Sequence, residues 1–281
     1  MSAQHGDVAE GPGWRLVCGR WQTALADVAE CDCVCSDPPY SERTHAAYTP
    51  RAEAGYRTGP KAAGEDRWAN RVAAGLIDGR REIDYAALTS DDLVEMVAHW
   101  SPRATGWTCW LTSHDLVPTY DAALSDRGRY VFAPLPCVIS GMTVRLVGDG
   151  PSSESVSLVV ARPRTAEAAK WGTLPGGYVA NGVGWRDKEH MGGKPTMLMR
   201  SIIRDYSKEG NIILDPCCGS GTTGVAAILE GRKAILIEKD PAYAAIARRR
   251  IAQALGDGPG TLIGSAKAAT LFDGEASNES Q

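Results

Sequence analysis

The chain has 281 residues, of which 43% are hydrophobic and 23% charged, and its formal net charge is −4. This composition is typical of a globular protein with a sizeable core, and it excludes a strongly basic coat for nucleic acid. There is no run of roughly 18 apolar residues and no basic start followed by an apolar stretch, so we expect neither a membrane span nor a secretion signal. The eight cysteines lack paired zinc-ligand spacing, which predicts reduced, buried thiols in a cytoplasmic protein and no metal site.

The first two thirds of the chain alternate strand patterns with helical ones. Residues 31–36 are a predicted strand, because an apolar run continues up to Pro38 and Pro39, which must end it. The elements predicted after it are helices over 91–100 and 116–124 and strands over 107–112, 130–133 and 156–160. Residues 42–82 and 161–193 show no firm periodicity and are predicted to be loops.

The clearest pattern lies in the last third of the chain. A short apolar strand over 211–214 leads into a glycine-rich segment, a helix and a second buried strand over 234–238. Asp240 and Pro241 are the residue types that begin a further helix. This order of strand, loop, helix, strand and helix predicts half of a parallel α/β sheet. Residues 257–281 are rich in Gly, Ser and Ala, and we expect them to form a disordered tail.

Gly219 and Gly221 lie between the first of these strands and the helix that follows it. Glycines at such a place let backbone N–H groups and a helix N-terminus approach a ligand closely. Glu238, at the end of the next strand, is placed to hold ribose hydroxyls. The spacing is that of neither a nicotinamide enzyme nor a P-loop nucleotidase. The loop therefore favours a nucleoside-containing cofactor, with a tight structural turn as the alternative.

The four residues Asp37-Pro38-Pro39-Tyr40 follow the first predicted strand. The prolines fix the backbone so that the Asp37 carboxylate and the Pro38 carbonyl can face one point as acceptors. Tyr40 offers an aromatic face beside that point. Two acceptors and a stacking ring suit an exocyclic amino group on a flat heterocycle. The alternative is a proline-rich turn that Asp37 caps.

Together, the two motifs resemble those of the S-adenosylmethionine-dependent amino-methyltransferases of DNA, in the permuted beta group whose catalytic motif comes first. Residues 37–40 are similar to the family's D-P-P-Y, and residues 215–223 to its D-P-F-x-G-S-G-T-T. The further matches are His190, Lys194-Pro195, Leu198, Gly231-Arg232, Glu238, Tyr243, Ala247 and Arg250-Ile251. The departures from the family pattern are Cys217 for Phe, Met191 for Pro and Leu236 for Gly.

The resemblance implies an α/β fold with a doubly wound, mostly parallel, seven-stranded Rossmann-like methyltransferase sheet and loop insertions. One catalytic domain would cover residues 1–256, with target-recognition loops over 42–82 and 161–193. The implied activity is transfer of a methyl group to N6 of adenine in DNA, since Asp at the first motif position is the more usual form for adenine. The alternatives are N4-cytosine methylation of DNA, adenine methylation of RNA, and a nucleic-acid-binding module without catalysis.

The resemblance also implies the residues of the site. Asp37 and the Pro38 carbonyl would accept hydrogen bonds from the amino group, and Tyr40 would stack on a base flipped out of the duplex. The implied catalytic residues are Asp37, Pro38, Pro39 and Tyr40. The residues implied to bind S-adenosylmethionine are Lys194, Pro195, Asp215, Pro216, Cys217, Gly219, Ser220, Gly221, Thr222, Thr223, Glu238 and Asp240.

Double-stranded DNA, as the implied partner, requires local positive charge on this acidic chain. Residues 43–82 hold eight Lys or Arg against five Asp or Glu, and residues 161–200 hold seven against three. The expected DNA-binding residues are Arg51, Arg57, Lys61, Arg67, Arg164, Lys170 and Arg186, with ordinary solvated loops as the alternative. A second copy of the chain, in a homodimer, and a cognate restriction enzyme are further expected partners. The expected location is the bacterial cytoplasm, with the gene encoded either by the bacterium or by a phage that infects it.

Overall fold

The computed structural model describes residues 6–24, 28, 30–46, 85–140, 154–165, 167, 170–181, 193–256 and 261–263. Within these residues, eleven strands form one sheet with α-helices on its faces. The strands are β1 (Val8–Gly11), β2 (Trp14–Cys18), β3 (Cys33–Ser36), β4 (Thr108–Thr112), β5 (Arg129–Val131), β6 (Leu135–Ser140), β7 (Ser155–Pro163), β8 (Tyr178–Asn181), β9 (Ile212–Asp215), β10 (Lys233–Glu238) and β11 (Thr261–Ile263). The helices are α1 (Glu42–Ala46), α2 (Ser90–Trp100), α3 (Val117–Asp126), α4 (Thr196–Tyr206), α5 (Thr222–Leu229) and α6 (Pro241–Leu255).

Five parallel strands form the centre of the sheet, in the order β2, β10, β9, β3 and β4. Antiparallel β7 follows β4, and β6 and β8 lie beyond it, while β5 pairs with the last residues of β7. At the other edge, β1 pairs with β2 and with β11, both antiparallel. The predicted α/β class is confirmed, and the short strands β1, β5, β8 and β11 raise the strand number above the predicted seven.

The central strands are buried along their length because helices cover both faces of the sheet. Every residue of β3 and of β4 is buried, as apolar runs in parallel sheets usually are. The face covered by α4, α5 and α6 includes Leu198, Ile202, Ala226, Ala247 and Ile251. The face covered by α2 and α3 includes Leu93, Met96, Trp100, Tyr120 and Leu124. The sheet is thus doubly wound, as predicted.

The chain leaves β3 and β9 towards opposite faces of the sheet. After β3 it passes through α2 on one face to β4, and after β9 it passes through α5 on the other face to β10. Because β3 and β9 are adjacent and parallel, a crevice opens at their carboxyl ends. Ligands of open α/β sheets bind at such a switch point.

The signals at the ends of α6 act as predicted. The Asp240 carboxylate accepts hydrogen bonds from the backbone N–H groups of Ala242 at 2.7 Å and Tyr243 at 3.2 Å. Pro241 occupies the first turn, where its missing N–H costs nothing. Gly256 ends the helix with φ 76°, a left-handed conformation that glycine adopts without strain.

The segment predicted to be a disordered tail contains a strand. Residues 261–263 pair with β1 in antiparallel register, which differs from the expectation for 257–281. The physical reason is that β1 would otherwise be an edge strand, whose unpaired N–H and C=O groups favour the addition of a further strand. Residues 257–260 and 264–281 lie outside the described residues, as do 47–82 of the first predicted recognition loop and 166, 168–169 and 182–192 of the second.

Candidate active site

The two motifs singled out in the sequence lie side by side at the carboxyl ends of β3 and β9. Val34 is in register with Leu214, so Asp37 and the glycine-rich loop both begin at one edge of the sheet. The Ser36 hydroxyl donates a hydrogen bond of 2.6 Å to Oδ1 of Asp215. This bond joins the residue before Asp37 to the residue that opens the second motif, 179 positions later.

The buried side chain of Asp215 holds the start of the glycine-rich loop through hydrogen bonds. Its side chain is 1% exposed, and Oδ1 also accepts the backbone N–H of Cys217 at 3.0 Å. Burial raises the pKa of the Asp215 carboxyl to about 6, although hydrogen bonds from Ser36, Thr223 and Cys217 act in the opposite direction. Asp215 is therefore bound by protein donors, and its first role is to hold the loop in place.

Two glycines and a buried carboxylate shape the loop itself. Gly219 and Gly221 have φ values of 52° and 80°, which residues other than glycine rarely adopt. The backbone N–H of Gly219 donates to Oε2 of Glu238 at 2.8 Å, and the N–H of Asp240 donates to Oε1 at 2.8 Å. Glu238 is 8% exposed, and burial raises the pKa of its carboxyl.

These residues fit a nucleoside ligand such as S-adenosylmethionine. Each carboxylate oxygen can accept more than one hydrogen bond, so Glu238 keeps acceptor capacity for ribose hydroxyls beyond its two backbone partners. The N-terminus of α5 follows Gly221 directly, and its free N–H groups suit polar ligand atoms. A buried acceptor at the end of the strand next to a glycine-rich loop is the arrangement expected for a ribose.

Arg250 fastens this loop to α6. Its Nη1 donates to the carbonyl of Ser220 at 2.7 Å, to the Ser220 hydroxyl at 2.9 Å and to Oγ1 of Thr222 at 3.2 Å. The sequence analysis gave Arg250 no role beyond a motif match. Its position on α6, one helical turn after Ala247, is the signal that could have placed it under the loop.

The Asp37 carboxylate is held by two side chains in the crevice. Nζ of Lys194 lies 2.6 Å from Oδ2, and the Tyr40 hydroxyl donates to Oδ1 at 3.0 Å. The same Nζ lies 4.7 Å from the centroid of the Tyr40 ring, within the range of a cation–π contact. Burial, and secondly the charge of Asp37, raises the pKa of the Tyr40 phenol, which keeps its hydroxyl protonated as a donor.

Lys194 was predicted at the cofactor, and the structure places its ammonium group on Asp37. It lies just before α4, in which the N–H groups of Leu198 and Met199 bond to the carbonyl of Pro195. Lys194 and Asp37 are 157 positions apart in the sequence. The ion pair joins the motif of residues 37–40 to the segment that precedes α4.

The remaining predicted cofactor residues surround the loop in different ways. Ser220, Thr222 and Thr223 are buried, and Pro216 follows Asp215. Cys217, which replaces the family's Phe, is half-buried with Sγ 3.9 Å from Sδ of Met96. Asp240 caps α6 with its side chain, and its backbone N–H fixes Glu238.

The predicted DNA-binding residues are described only in part. Arg51, Arg57, Lys61, Arg67 and Arg186 lie outside the described residues. Arg164 and Lys170 are exposed, and the Arg164 guanidinium lies 5.4 Å from the centroid of the Tyr130 ring. Because Ala161 is level with Thr108 at the start of β4, Arg164 lies towards the edge of the sheet opposite Asp37.

In the part of the chain that the structure describes, no helix is long and apolar enough to cross a bilayer. The same residues contain no group of three or more His, Cys, Asp or Glu side chains placed to hold a metal ion.

Known proteins are similar to this chain in sequence over a limited region. Residues 161–249 match a family model described as DNA methylase. The Type II methyltransferase M2.DpnII of Streptococcus pneumoniae is 48% identical over 67 residues, which are 24% of this chain and 25% of that protein. The DNA adenine methyltransferase YhdJ of Escherichia coli K12 is 44% identical over 64 residues, 23% and 22% of the two chains. The chain thus spans about a quarter of the length of these relatives.

Solved structures are similar over most of the chain. The M1.HpyAVI complex with SAM aligns with a TM-score of 0.58 at 18% identity, covering 85% of this chain and 99% of that one. The PvuII DNA methyltransferase, described as cytosine-N4-specific, aligns with a TM-score of 0.57 at 14% identity, covering 88% and 90%. At these identities the likeness concerns the fold. Residues 161–249 therefore carry the DNA methylase match that the motifs of this region predicted, and the fold of the chain is similar to that of solved DNA methyltransferases.

Proposed function

We propose that the protein is a DNA methyltransferase that transfers the methyl group of S-adenosylmethionine to N6 of adenine. The observation that carries the proposal is the juxtaposition of Asp37 and the glycine-rich loop on adjacent parallel strands, joined by the bond from Ser36 to Asp215. A group-transfer enzyme needs its donor and its acceptor in one crevice, and this arrangement supplies a place for each.

The cofactor side of the crevice is built by the loop and the strand next to it. The Glu238 carboxylate would accept hydrogen bonds from the ribose hydroxyls, and Gly219 and Gly221 would let the backbone approach the ligand closely. Ser220 and Thr222 hold the loop through Arg250. S-adenosylmethionine, when bound, supplies an electrophilic methyl group on a sulfonium.

The acceptor side is built by Asp37 to Tyr40. The Asp37 carboxylate and the Pro38 carbonyl accept hydrogen bonds from the amino group of the base. This draws the nitrogen lone pair out of conjugation with the ring and aims it at the methyl group. The carbon–nitrogen bond would form as the carbon–sulfur bond breaks, a neutral thioether would leave, and the proton that the nitrogen then loses would pass to solvent. Positioning and electrostatic stabilisation supply much of the rate, so Asp37 need not be a strong base. Tyr40 stacks on the base after it has left the duplex.

Adenine is the proposed target because Asp occupies the first position of the motif and because YhdJ, a relative by sequence, is named as an adenine enzyme. N4 of cytosine is the second candidate, favoured by the similar fold of the PvuII enzyme. The partner on this reading is double-stranded DNA, contacted by residues 42–82 and 161–193, except for Arg164 and its neighbours at the edge of the sheet opposite Asp37. A homodimer, a cognate restriction enzyme and a place in the bacterial cytoplasm belong to the same proposal.

Transfer of a tritiated methyl group into unmethylated double-stranded DNA tests this function. The labelled DNA is digested to nucleosides and separated, and we expect the label in N6-methyladenine. An RNA substrate of matched sequence should remain unlabelled. Label in N4-methylcytosine would move the activity to the second candidate, and label only in RNA would contradict DNA as the substrate.

The matched control for this experiment is Asp37→Ala. The loss of one preorganised acceptor should lower turnover by at least about a hundredfold. Binding of the cofactor, measured by calorimetry, should survive because its contacts come from the other motif. Normal turnover in a folded Asp37→Ala protein that binds the cofactor would contradict the mechanism and leave Asp37 as the cap of a turn.

A further inference from the structure

Lys194 occupies both halves of the acceptor site. Its side chain is 7% exposed, against 20% for Asp37, and its Nζ lies 2.6 Å from Oδ2 of that carboxylate. The Tyr40 hydroxyl already bonds to the other oxygen. The Lys194 ammonium also lies over the Tyr40 ring, 4.7 Å from its centroid. One cation therefore covers the carboxylate and one face of the ring, the two groups that would receive the target base.

This ion pair opposes the proposed chemistry as it stands. When an amine attacks a sulfonium, positive charge moves from sulfur to nitrogen, and a free carboxylate beside that nitrogen stabilises it. A lysine in contact with the carboxylate neutralises it and adds a second positive charge nearby. Each Asp37 oxygen can still accept a further hydrogen bond, but the carboxylate stabilises the charge on the nitrogen better once the ammonium group has left Oδ2.

The segment that carries Lys194 is connected to both sides of the crevice. Lys194 lies two residues before α4, and α4 packs against α5, the helix whose N-terminus carries the glycine-rich loop. On the other side, Ser36 connects the Asp37 segment to Asp215 below the same loop. Lys194 thus contacts the acceptor site and begins the segment that leads into α4, which packs behind the glycine-rich loop. S-adenosylmethionine bound to that loop would bring an amino-acid end with its own carboxylate.

We propose that Lys194 is a positioning residue whose ammonium group changes its ion-pair partner, from Asp37 in the unliganded protein to the carboxylate of the bound cofactor. In the free enzyme Lys194 closes the acceptor site, and in the loaded enzyme it leaves Asp37 and the Tyr40 ring open to the target base. Binding of the cofactor and of the base would then be positively coupled, because one lysine serves two carboxylates. This inference rests on the proposed function. It adds an order of events, in which binding of the cofactor comes first and makes Asp37 and Tyr40 accessible to the target base.

A binding cycle with two nucleoside ligands tests the exchange without any turnover. S-adenosylhomocysteine keeps the amino-acid carboxylate, whereas 5′-methylthioadenosine has the same nucleoside and lacks it. Calorimetry measures both ligands on the wild type, Asp37→Asn, Lys194→Met and the double variant. Lys194→Arg serves as the conservative variant that keeps the charge.

We expect Asp37→Asn to tighten S-adenosylhomocysteine by at least about fivefold, because the ligand no longer competes with Asp37 for Lys194. A damaged fold would weaken the ligand instead. Lys194→Met should weaken it, and Lys194→Arg should restore most of the affinity. In the Lys194→Met background, Asp37→Asn should have no effect. Methylthioadenosine should bind equally to the wild type and to Asp37→Asn.

Three results separate failure of this inference from failure of the proposed function. An Asp37→Asn effect that persists in the Lys194→Met background would mean direct repulsion between carboxylates and would overturn the exchange. Unchanged affinity in Asp37→Asn would make Lys194 a fixed structural partner of Asp37, which also overturns it. If neither ligand binds the wild type, the cofactor site is wrong and the proposed function falls with it.

Discussion

Tyr40 contributes to the acceptor site through two separate groups. Its hydroxyl donates to Asp37 at 3.0 Å, and its ring lies beside Lys194 and the crevice. The hydroxyl orients the carboxylate, whereas the ring offers a surface for a base. Substitutions that remove one group at a time can tell these contributions apart.

For Tyr40 we therefore expect Phe and Ala to behave differently. Tyr40→Phe loses one hydrogen bond of about 1 kcal/mol and should keep turnover within roughly tenfold of the wild type. Tyr40→Ala also loses the stacking surface and should raise the KM for DNA strongly. Steady-state methylation of the same DNA by the three proteins measures both quantities. Equal losses in the Phe and Ala variants would assign the role to the hydroxyl alone.

The contact between Lys194 and Asp37 shows which residue-level facts lie beyond sequence reasoning. The residue types at 37–40 and 215–223 predicted an acceptor site and a cofactor loop, because local geometry follows from Pro and Gly. Which side chain faces Asp37 depends instead on how α4 packs, 157 positions away. The same long-range dependence explains why Arg250 was matched to a motif and given no role.

At the scale of elements, the glycine-rich loop depends on a close contact with α6. A Cβ atom built on Gly221 would lie 2.7 Å from Cβ and 2.8 Å from Cα of Ala247. Gly221 also has a φ of 80°. Backbone conformation and close packing both require glycine at this point, so the loop and the helix form one unit.

Alanine substitutions at two glycines of equal φ separate those requirements. Gly210 also has a φ of 80°, but a Cβ there would meet nothing within 4 Å. Gly210→Ala should cost only the left-handed strain of about 1–2 kcal/mol in the free energy of unfolding. Gly221→Ala should cost more, since α6 must shift, and should also weaken binding of S-adenosylhomocysteine. If Gly221→Ala and Gly210→Ala lost the same stability and cofactor affinity were unchanged, α6 would be able to move away from a Cβ at position 221 at no cost in free energy.

Prediction of elements succeeded where the signals are local. The strand, loop, helix, strand and helix order of residues 211–255 was predicted because capping residues, glycines and apolar periodicity mark each boundary. The strands β1, β2, β6, β8 and β11 were missed, as was α1; α1 and β8 lie in segments that were predicted to be loops. These short elements take their structure from neighbours distant in sequence, as β2 does from β10. The helix α4 was missed although Leu198, Ile202 and Tyr206 are spaced as an apolar face.

At the scale of the whole molecule, burial of Asp215 links stability to pH. Its pKa of about 6 in the folded protein exceeds the ordinary value of 3.8. The folded state therefore binds a proton more tightly than the unfolded state does. The stabilising contribution of this proton is complete below about pH 4 and is lost as the pH rises through 6.

We expect this loss to be visible in a comparison with Asp215→Asn. Between pH 4 and 7, the free energy of unfolding of the wild type should fall relative to the variant by about 3 kcal/mol, which corresponds to the two-unit shift. Denaturant titrations at several pH values measure the difference, in which the titration of groups far from Asp215 cancels, while Glu238 beside it contributes differently to the two curves. Parallel curves for the two proteins would mean that the carboxyl of Asp215 titrates normally in the fold.

The strand order has a consequence for how the molecule is made. β9 and β10 lie between β2 and β3, yet they are synthesised about two hundred residues later than those strands. Until they leave the ribosome, β2 and β3 present unpaired inner edges, which are prone to pair with other chains. A nascent chain that stops before residue 212 holds the whole Asp-Pro-Pro-Tyr segment, but its Ser36 hydroxyl has no Asp215 to meet. The middle of this sheet is completed only after the strands on both sides of it have been made. We therefore expect the unfinished chain to need protection from aggregation during its synthesis.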